Sequence, residues 1–278
     1  MAQIINTNLA SLNAQRNLSM TQESLTHSIQ RLSSGLRVNS ARDDAAGLAI
    51  AERMNSQVRG MHVAIRNAND GISLAQTAEG ALGKLADMLQ RMRELAVQSA
   101  NATNGPSDRS NLDAEYQQLS QEITRTMAGT RFNGLAILAG SAGSLTFQVG
   151  PGTSTNDQVT VGTSNLASNA LVTAVTGGGI STTATAQTAM TNVDAALDLI
   201  NSERANWGAT QNRFDAVISN LQVSAENQTA ARSRIMDADF AAETAALTRA
   251  QVLQQAGTAM LAQANQLPNN VLQLLRGG

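Results

Sequence analysis

Apolar and small residues recur along much of this chain at alternating steps of four and three. Near the C-terminus the series runs Ala246, Ala250, Leu253, Gly257, Met260, Ala264, Leu267, Val271, Leu274. A second runs Val193, Leu197, Ile200, Arg204, Trp207, Gln211, Phe214, Ile218, Leu221, Ala225, Gln228, Arg232, Ile235. A third, Met54, Val58, Met61, Ile65, Ala68, Ile72, Ala75, loses phase at Glu79 and resumes at Leu82, Leu85, Leu89, Met92, Ala96. A weaker series, Leu18, Gln22, Leu25, Ile29, Leu32, Leu36, lies near the N-terminus. An average spacing of about 3.5 residues keeps one stripe against a partner over many turns, which predicts supercoiled helices rather than a compact ball.

The only prolines are Pro106, Pro151 and Pro268, so the periodic stretches between them are free of their strongest breaker. From Asp44 to Ala100 the helical pattern runs unbroken for roughly 57 residues, about 85 Å at 1.5 Å rise per residue. Asn104-Gly105-Pro106-Ser107 reads as a turn, a helix with Leu112, Leu119 and Ile123 on one side comes next, and Arg131-Phe132-Asn133-Gly134 ends it. After Gly140, Leu145, Phe147 and Val149 alternate with polar residues, as do Val159 and Val161 beyond Pro151-Gly152, which predicts two short strands. From Thr163 to Ala186 the chain is rich in Ser, Thr, Gly and Ala and reads as loop or weak strand. The expected fold is mainly α: a long antiparallel coiled-coil rod with paired terminal helices and a small β/loop insert at the bend.

A terminal pair rich in Ala, Gln and Asn leaves apolar perimeter uncovered and is marginal alone. Copies of the same chain are the simplest cover, and head-to-tail contacts that do not close build a filament.

Composition agrees. Aromatic residues are 2% and charged residues 14% of 278, fewer than a dense core and mixed surface usually contain. The net charge of −2, with no basic cluster apparent, argues against nucleic acid as a partner. Cysteine is absent, which excludes disulfides and thiolate chemistry. The opening MAQIINTNLASLNAQR has neither a basic start nor a continuous apolar run, so no cleaved secretory signal and no membrane span are expected.

Catalytic patterns are missing, and neither a cofactor nor a metal is expected. His27 and His62 lie on separate helices outside any HExxH pattern, and Gly177-Gly178-Gly179 lacks the lysine of a phosphate loop. Asp43 and Asp44 are adjacent and suit helix capping better than paired acid–base work. Met54, Met61, Met88 and Met92 fall on or beside the seam and read as packing. Arg204 and Arg232 occupy seam spacings, either setting register or extending from an edge on long stems.

The block Arg31-Leu32-Ser33-Ser34-Gly35-Leu36-Arg37-Val38-Asn39-Ser40-Ala41-Arg42-Asp43-Asp44-Ala45-Ala46-Gly47-Leu48-Ala49-Ile50 closely resembles bacterial flagellin. So do Ile5-Asn6-Thr7-Asn8, Arg66-Asn67-Ala68-Asn69-Asp70-Gly71-Ile72-Ser73, Arg93 to Gln98, Phe132-Asn133-Gly134 and the stretch from Leu253 to Leu275, in the same order. The resemblance implies a non-enzymatic subunit that polymerises into the flagellar filament for motility, exported to the outside without a cleaved signal peptide. It divides the chain into terminal helices with a connecting spoke (1–43 and 236–278), a helical rod (44–135 and 186–235) and a small insert (136–185). The positions expected to meet neighbouring subunits are Leu9, Leu12, Leu25, Ile29, Leu32, Leu253, Met260, Leu267, Val271 and Leu274. Arg91, Leu95 and Glu115 match the patch read by the vertebrate innate immune receptor for flagellin. A flagellar export chaperone, the filament cap and hook-junction proteins are further partners by resemblance, and the Ser/Thr-rich stretch from Thr153 to Thr188 is a candidate for O-linked sugars. A hook–filament junction protein and a receptor-binding surface module are the rival readings.

Overall fold

The computed structural model describes residues 7–139 and 143–276, with side chains up to residue 266. The fold is mainly α. Its elements are α1 (Leu9–Ser34), α2 (Ala45–Ala100), α3 (Pro106–Gly129), β1 (Arg131–Phe132), β2 (Leu135–Ala136), β3 (Ser144–Gln148), β4 (Gln158–Gly162), α4 (Ala170–Thr176), α5 (Thr183–Met236) and α6 (Phe240–Arg276), with one 3-10 turn at Thr155–Asp157. Two compact units result: Met1–Ser56 with Asn227–Gly278, and Gln57–Glu226. No helix among the described residues is long and apolar enough to cross a membrane.

The second unit holds the large core. Its part of α2 and its part of α5 run antiparallel, since Gly71 lies against Phe214, Glu79 meets Gln211 and Arg93 meets Asp194. The long apolar series are the buried stripes: Leu82, Leu85, Leu89, Met92 and Ala96 on α2 face Val193, Ile200, Trp207 and Phe214 on α5. Glu79, where the α2 rhythm slips, accepts a 2.8 Å hydrogen bond from Gln211 Nε2, so one polar seam position answers the other. Arg204 points to solvent from its seam spacing. At Gly71 an added Cβ would lie 2.6 Å from the Phe214 ring, whose other contact is an edge-on stack with Phe147 at 5.3 Å.

The strands β3 and β4 pair antiparallel, Leu145 opposite Val161 and Phe147 opposite Val159, with these side chains turned to the core. The hairpin is tied to α2 by Asn67 Nδ2, which donates to the Gln148 carbonyl at 2.9 Å. A second hairpin, β1–β2, is not anticipated by the sequence pattern described above: Asn133 (φ 47°) and Gly134 (φ 82°) form the two left-handed corners of a tight turn.

The expected loop at Thr163–Ala186 is instead partly helical. Asn169 caps α4 by accepting from Leu171 N, and Val172 and Val175 are buried. Thr182 Oγ1 accepts from Thr185 N and starts α5 within the same stretch. One face of α3 holds the end of α4 and the glycine-rich segment beyond it: Tyr116 Oη donates to the Val175 carbonyl, Ser120 Oγ to Thr176, Gln117 Nε2 to Gly178, and Asp113 accepts from Ile180 N. Tertiary packing here overrides a Ser/Thr/Gly-rich composition.

Candidate assembly surface on the terminal helices

In the first unit, α1 and α6 pair antiparallel. Asn8 Nδ2 donates to the Ala264 carbonyl, Ser11 Oγ to Asn265 Oδ1, and Gln254 Nε2 to Gln22 Oε1. Arg31 lies 3.8 Å from Glu243, and Leu36 bridges Asp237. As the number rises on α1 it falls on α6 at the same rate, so the pair keeps one register along its described length.

Local chemistry sets the ends. Gly35 (φ 71°) closes α1 in the left-handed conformation, and its carbonyl accepts from Ala238 N at 2.9 Å. Arg37 N donates to the Met236 carbonyl, and its guanidinium donates to the Ile235 carbonyl. Asp43 and Asp44 have separate tasks: Asp44 accepts from Gly47 N and caps α2, while Asp43 accepts from the backbone of Ser40 and Asn39. The Ser40 and then the Asn39 N–H hold the Asp43 carboxyl below its ordinary value. Asp239, accepting from Ala241 N and Ala242 N, starts α6.

The seam between α1 and α6 is thin. Ser11, Leu25 and Ser28 on α1, with Ala250 and Ala264 on α6, are its buried side chains among those described. Gly257 lets the helices close, since an added Cβ would stand 3.3 Å from Leu18 Cδ1. Its α6 side does not follow the full apolar series. Gln254 and Leu261 are half-buried on the seam, while Leu253 and Met260 are 53% and 64% exposed. Leu9, Leu12 and Ile29 on α1 are exposed as well. Leu253, Met260 and Gly257 with Ala10, Ala14 and Leu18 line an open groove of about 450 Å³.

The positions expected to meet neighbours therefore separate. Leu9, Leu12, Ile29, Leu253 and Met260 are exposed, Leu32 is half-buried, and Leu25 is buried within the pair. The side chains of Leu267, Val271 and Leu274 lie outside the described residues, as do Ile5 and Asn6 of the N-terminal motif.

In the second unit Arg91 sits 2.9 Å from Glu115 on α3 and 2.9 Å from Glu94 on its own helix. Glu94 and then Glu115 hold its guanidinium in the charged form more firmly than usual. Leu95 is 1% exposed and belongs to the core, so Arg91 and Glu115 are the members of that trio that reach solvent. Arg232, in the first unit, donates to the Asn55 side chain rather than to an acid. His27 and His62 are exposed, and no group of three or more His, Asp or Glu among the described residues is arranged to hold a metal.

Comparison with known proteins identifies the arrangement. Residues 5–143 match the bacterial flagellin N-terminal helical region, and residues 190–275 match the bacterial flagellin C-terminal helical region. The chain is similar to a flagellin of Halalkalibacterium halodurans, 45% identical over 273 residues that cover 98% of this chain and 100% of that protein. Flagellin B of Vibrio cholerae is 36% identical over 375 residues, covering 99% of this chain and 100% of that one. Among solved structures, the crystal structure of Bacillus cereus flagellin matches 60% of this chain and 94% of its own length at 35% identity, with a TM-score of 0.50. With both terminal regions matched and relatives aligned over nearly its whole length, the chain belongs to the bacterial flagellin family.

Proposed function

We propose that this flagellin, a structural subunit of the flagellar filament and not an enzyme, polymerises through the outer faces of α1 and α6, with residues 1–43 and 236–278 lining the inside of the polymer. The observation that carries this is the turning-out of Leu253 and Met260 from a seam built of Ser, Ala and Gly. Exposing several large aliphatic side chains on one helix pair is unfavourable unless something covers them, at roughly 25 cal/mol per Å² of apolar surface. Leu9, Leu12, Ile29 and Leu32 extend the surface, and Leu25 supports it from within the pair. Folding of the ends is coupled to assembly, because burial supplied by neighbours offsets their ordering entropy. The spoke after α1, the rod of residues 44–135 and 186–235 and the insert of residues 136–185, which completes the rod, make up the rest of the subunit.

Pelleting and electron microscopy test this. The full chain forms long filaments, while Leu253→Asp with Met260→Asp, or a chain ending at Asp237, forms none; filaments from either variant contradict the reading.

A second reading rests on the Arg91–Glu115 pair. The innate immune receptor for flagellin engages Arg91 and Glu115, with Leu95 fixing the position of the α2 segment from below. Arg91→Ala should lower receptor signalling by monomer while leaving thermal melting near wild type, and unchanged signalling would count against it. Export without a cleaved signal peptide, and an export chaperone, filament cap and hook-junction proteins as partners, are carried by family membership; an intact mass of filament protein beginning at residue 1 or 2 tests the first.

A further inference from the structure

Side chains open to two-electron oxidants are unevenly placed in this chain. Cysteine is absent, so the methionine thioethers are its most readily oxidised groups, and the single tryptophan and tyrosine are buried. Met61, Met92 and Met127 are buried within the second unit, while Met54, Met88, Met190 and Met236 are half-buried. Met20 and Met260 differ from these: they are 60% and 64% exposed, and both belong to the terminal pair.

Of the two, Met260 has the more consequential setting. It lines the open groove with Leu253, Gly257 and Leu18, whereas Met20 lies on the pair outside that groove. A flexible thioether suits an irregular apolar surface of this kind. One oxygen added to the sulfur makes the side chain polar and chiral, and a sulfoxide covered by aliphatic side chains of a neighbouring copy loses its hydrogen bonds to water. The sulfur is open whether the α1–α6 pair is formed or frayed, so shielding comes only with assembly.

We propose that Met260 is an oxidation site that controls assembly: hydrogen peroxide converts its thioether to the sulfoxide in the monomer, the oxidised subunit fails to join a filament, and a thiol-dependent sulfoxide reductase restores it. In the forward step a sulfur lone pair attacks one peroxide oxygen. The S–O bond forms as the O–O bond breaks, sulfur loses two electrons to the peroxide, and the departing hydroxide takes the proton of the transferred oxygen and leaves as water. In the return step two thiols supply two electrons and become a disulfide, and with two protons the oxygen leaves as water. The proposal rests on the filament reading, since it takes Met260 to lie in the covered surface.

The test treats full-length monomer and filament with hydrogen peroxide, maps sulfoxides by peptide mass spectrometry, and reads the critical concentration for polymerisation by pelleting. In the monomer Met20 and Met260 should gain oxygen ahead of Met61, Met92 and Met127, and in the filament Met260 should be protected. Oxidised monomer should show a critical concentration raised by about tenfold or more. Methionine sulfoxide reductase with dithiothreitol should return it to the starting value. Met260→Leu keeps volume and apolar character, so it should polymerise normally and stay insensitive to peroxide, whereas Met20→Leu should remain as sensitive as wild type. Trp207 fluorescence of each monomer checks that the second unit is intact. Normal polymerisation of monomer fully oxidised at Met260 overturns the proposal, as does peroxide sensitivity that persists in Met260→Leu or fails to reverse with the reductase. If Met260 sulfoxide polymerises normally while Leu253→Asp with Met260→Asp forms no filaments, the assembly surface stands and the oxidation site falls; filaments from that double variant count against the assembly surface itself.

Discussion

Two antiparallel helix pairs in this molecule obey the same four-and-three rhythm and differ in what fills it. In the second unit, α2 and α5 enclose Leu82, Leu85, Met92, Trp207 and Phe214, with Tyr116, Ile123 and Met127 added from α3. In the first, α1 and α6 enclose Ser11, Leu25, Ser28, Ala250 and Ala264, while Leu9, Met20, Leu253 and Met260 face outward. Rhythm alone shows that a helix has a partner. Side-chain volume bears on whether one partner is enough: a seam of small residues brings backbones close but buries little apolar area, so the α2–α5 pair has the larger core and the proposed assembly supplies cover to the α1–α6 pair.

The contrast should show most clearly at its largest side chains. Phe214→Ala leaves a cavity between Gly71 and Phe147 and should cost about 3–5 kcal/mol of stability in the second unit, read by urea unfolding of Trp207, the only tryptophan. Leu253→Ala, also a large-to-small change, should alter monomer stability by less than about 0.5 kcal/mol while raising the critical concentration for filaments. Equal destabilisation by the two would erase the distinction.

Unfolding of the wild-type monomer should likewise separate into steps. Helical circular dichroism should begin to fall at a lower urea concentration than Trp207 fluorescence responds, because the terminal pair melts first. Coincident curves would make the chain one cooperative unit.

Tyr116 probes the other side of the comparison. It is the sole tyrosine, and burial, with a smaller contribution from Asp113, pushes its hydroxyl up to about 12. The fold favours its neutral form, so the associated stability is whole below pH of about 10 and is lost as pH rises toward 12. Absorbance at tyrosinate wavelengths should rise in that upper range, and a midpoint near 10 in the folded protein would show Tyr116 to be solvated. Asp44→Ala removes the α2 cap and should cost about 1 kcal/mol, well below the effect of Phe214→Ala. Melting temperatures of the two chains measure it.

The seams of α2 and α5 are legible in the sequence because large residues mark them: Met61 through Met92 and Val193 through Phe214 are buried or half-buried on schedule except at Arg204. The α6 seam is legible in phase but not in occupancy. There the stripe that meets α1 includes Gln254 and Leu261, one step beyond Leu253 and Met260, because close approach at Gly257 selects small and amide-bearing positions. The strands at Leu145–Val149 and Val159–Val161 are readable from alternation, whereas the Asn133-Gly134 hairpin hides behind strands of two residues each, although its turn dipeptide is a strong signal. Helix α4 cannot be read locally, since Tyr116 and Ser120 on α3 hold its end through the Val175 and Thr176 carbonyls. Of the candidate sites, helical spacing puts Arg91 and Leu95 on one face, but only the packed structure separates the buried leucine from the exposed arginine.

The dependence of the terminal pair on neighbouring subunits is open to direct measurement by hydrogen exchange and mass spectrometry, on monomer and on filament of the same preparation. Fast exchange is expected in α1 and α6 of the monomer, strong protection of both in the filament, and protection of α2, α3 and α5 within Gln57–Glu226 in either state. Equal protection of α1 and α6 in monomer and filament would contradict that dependence.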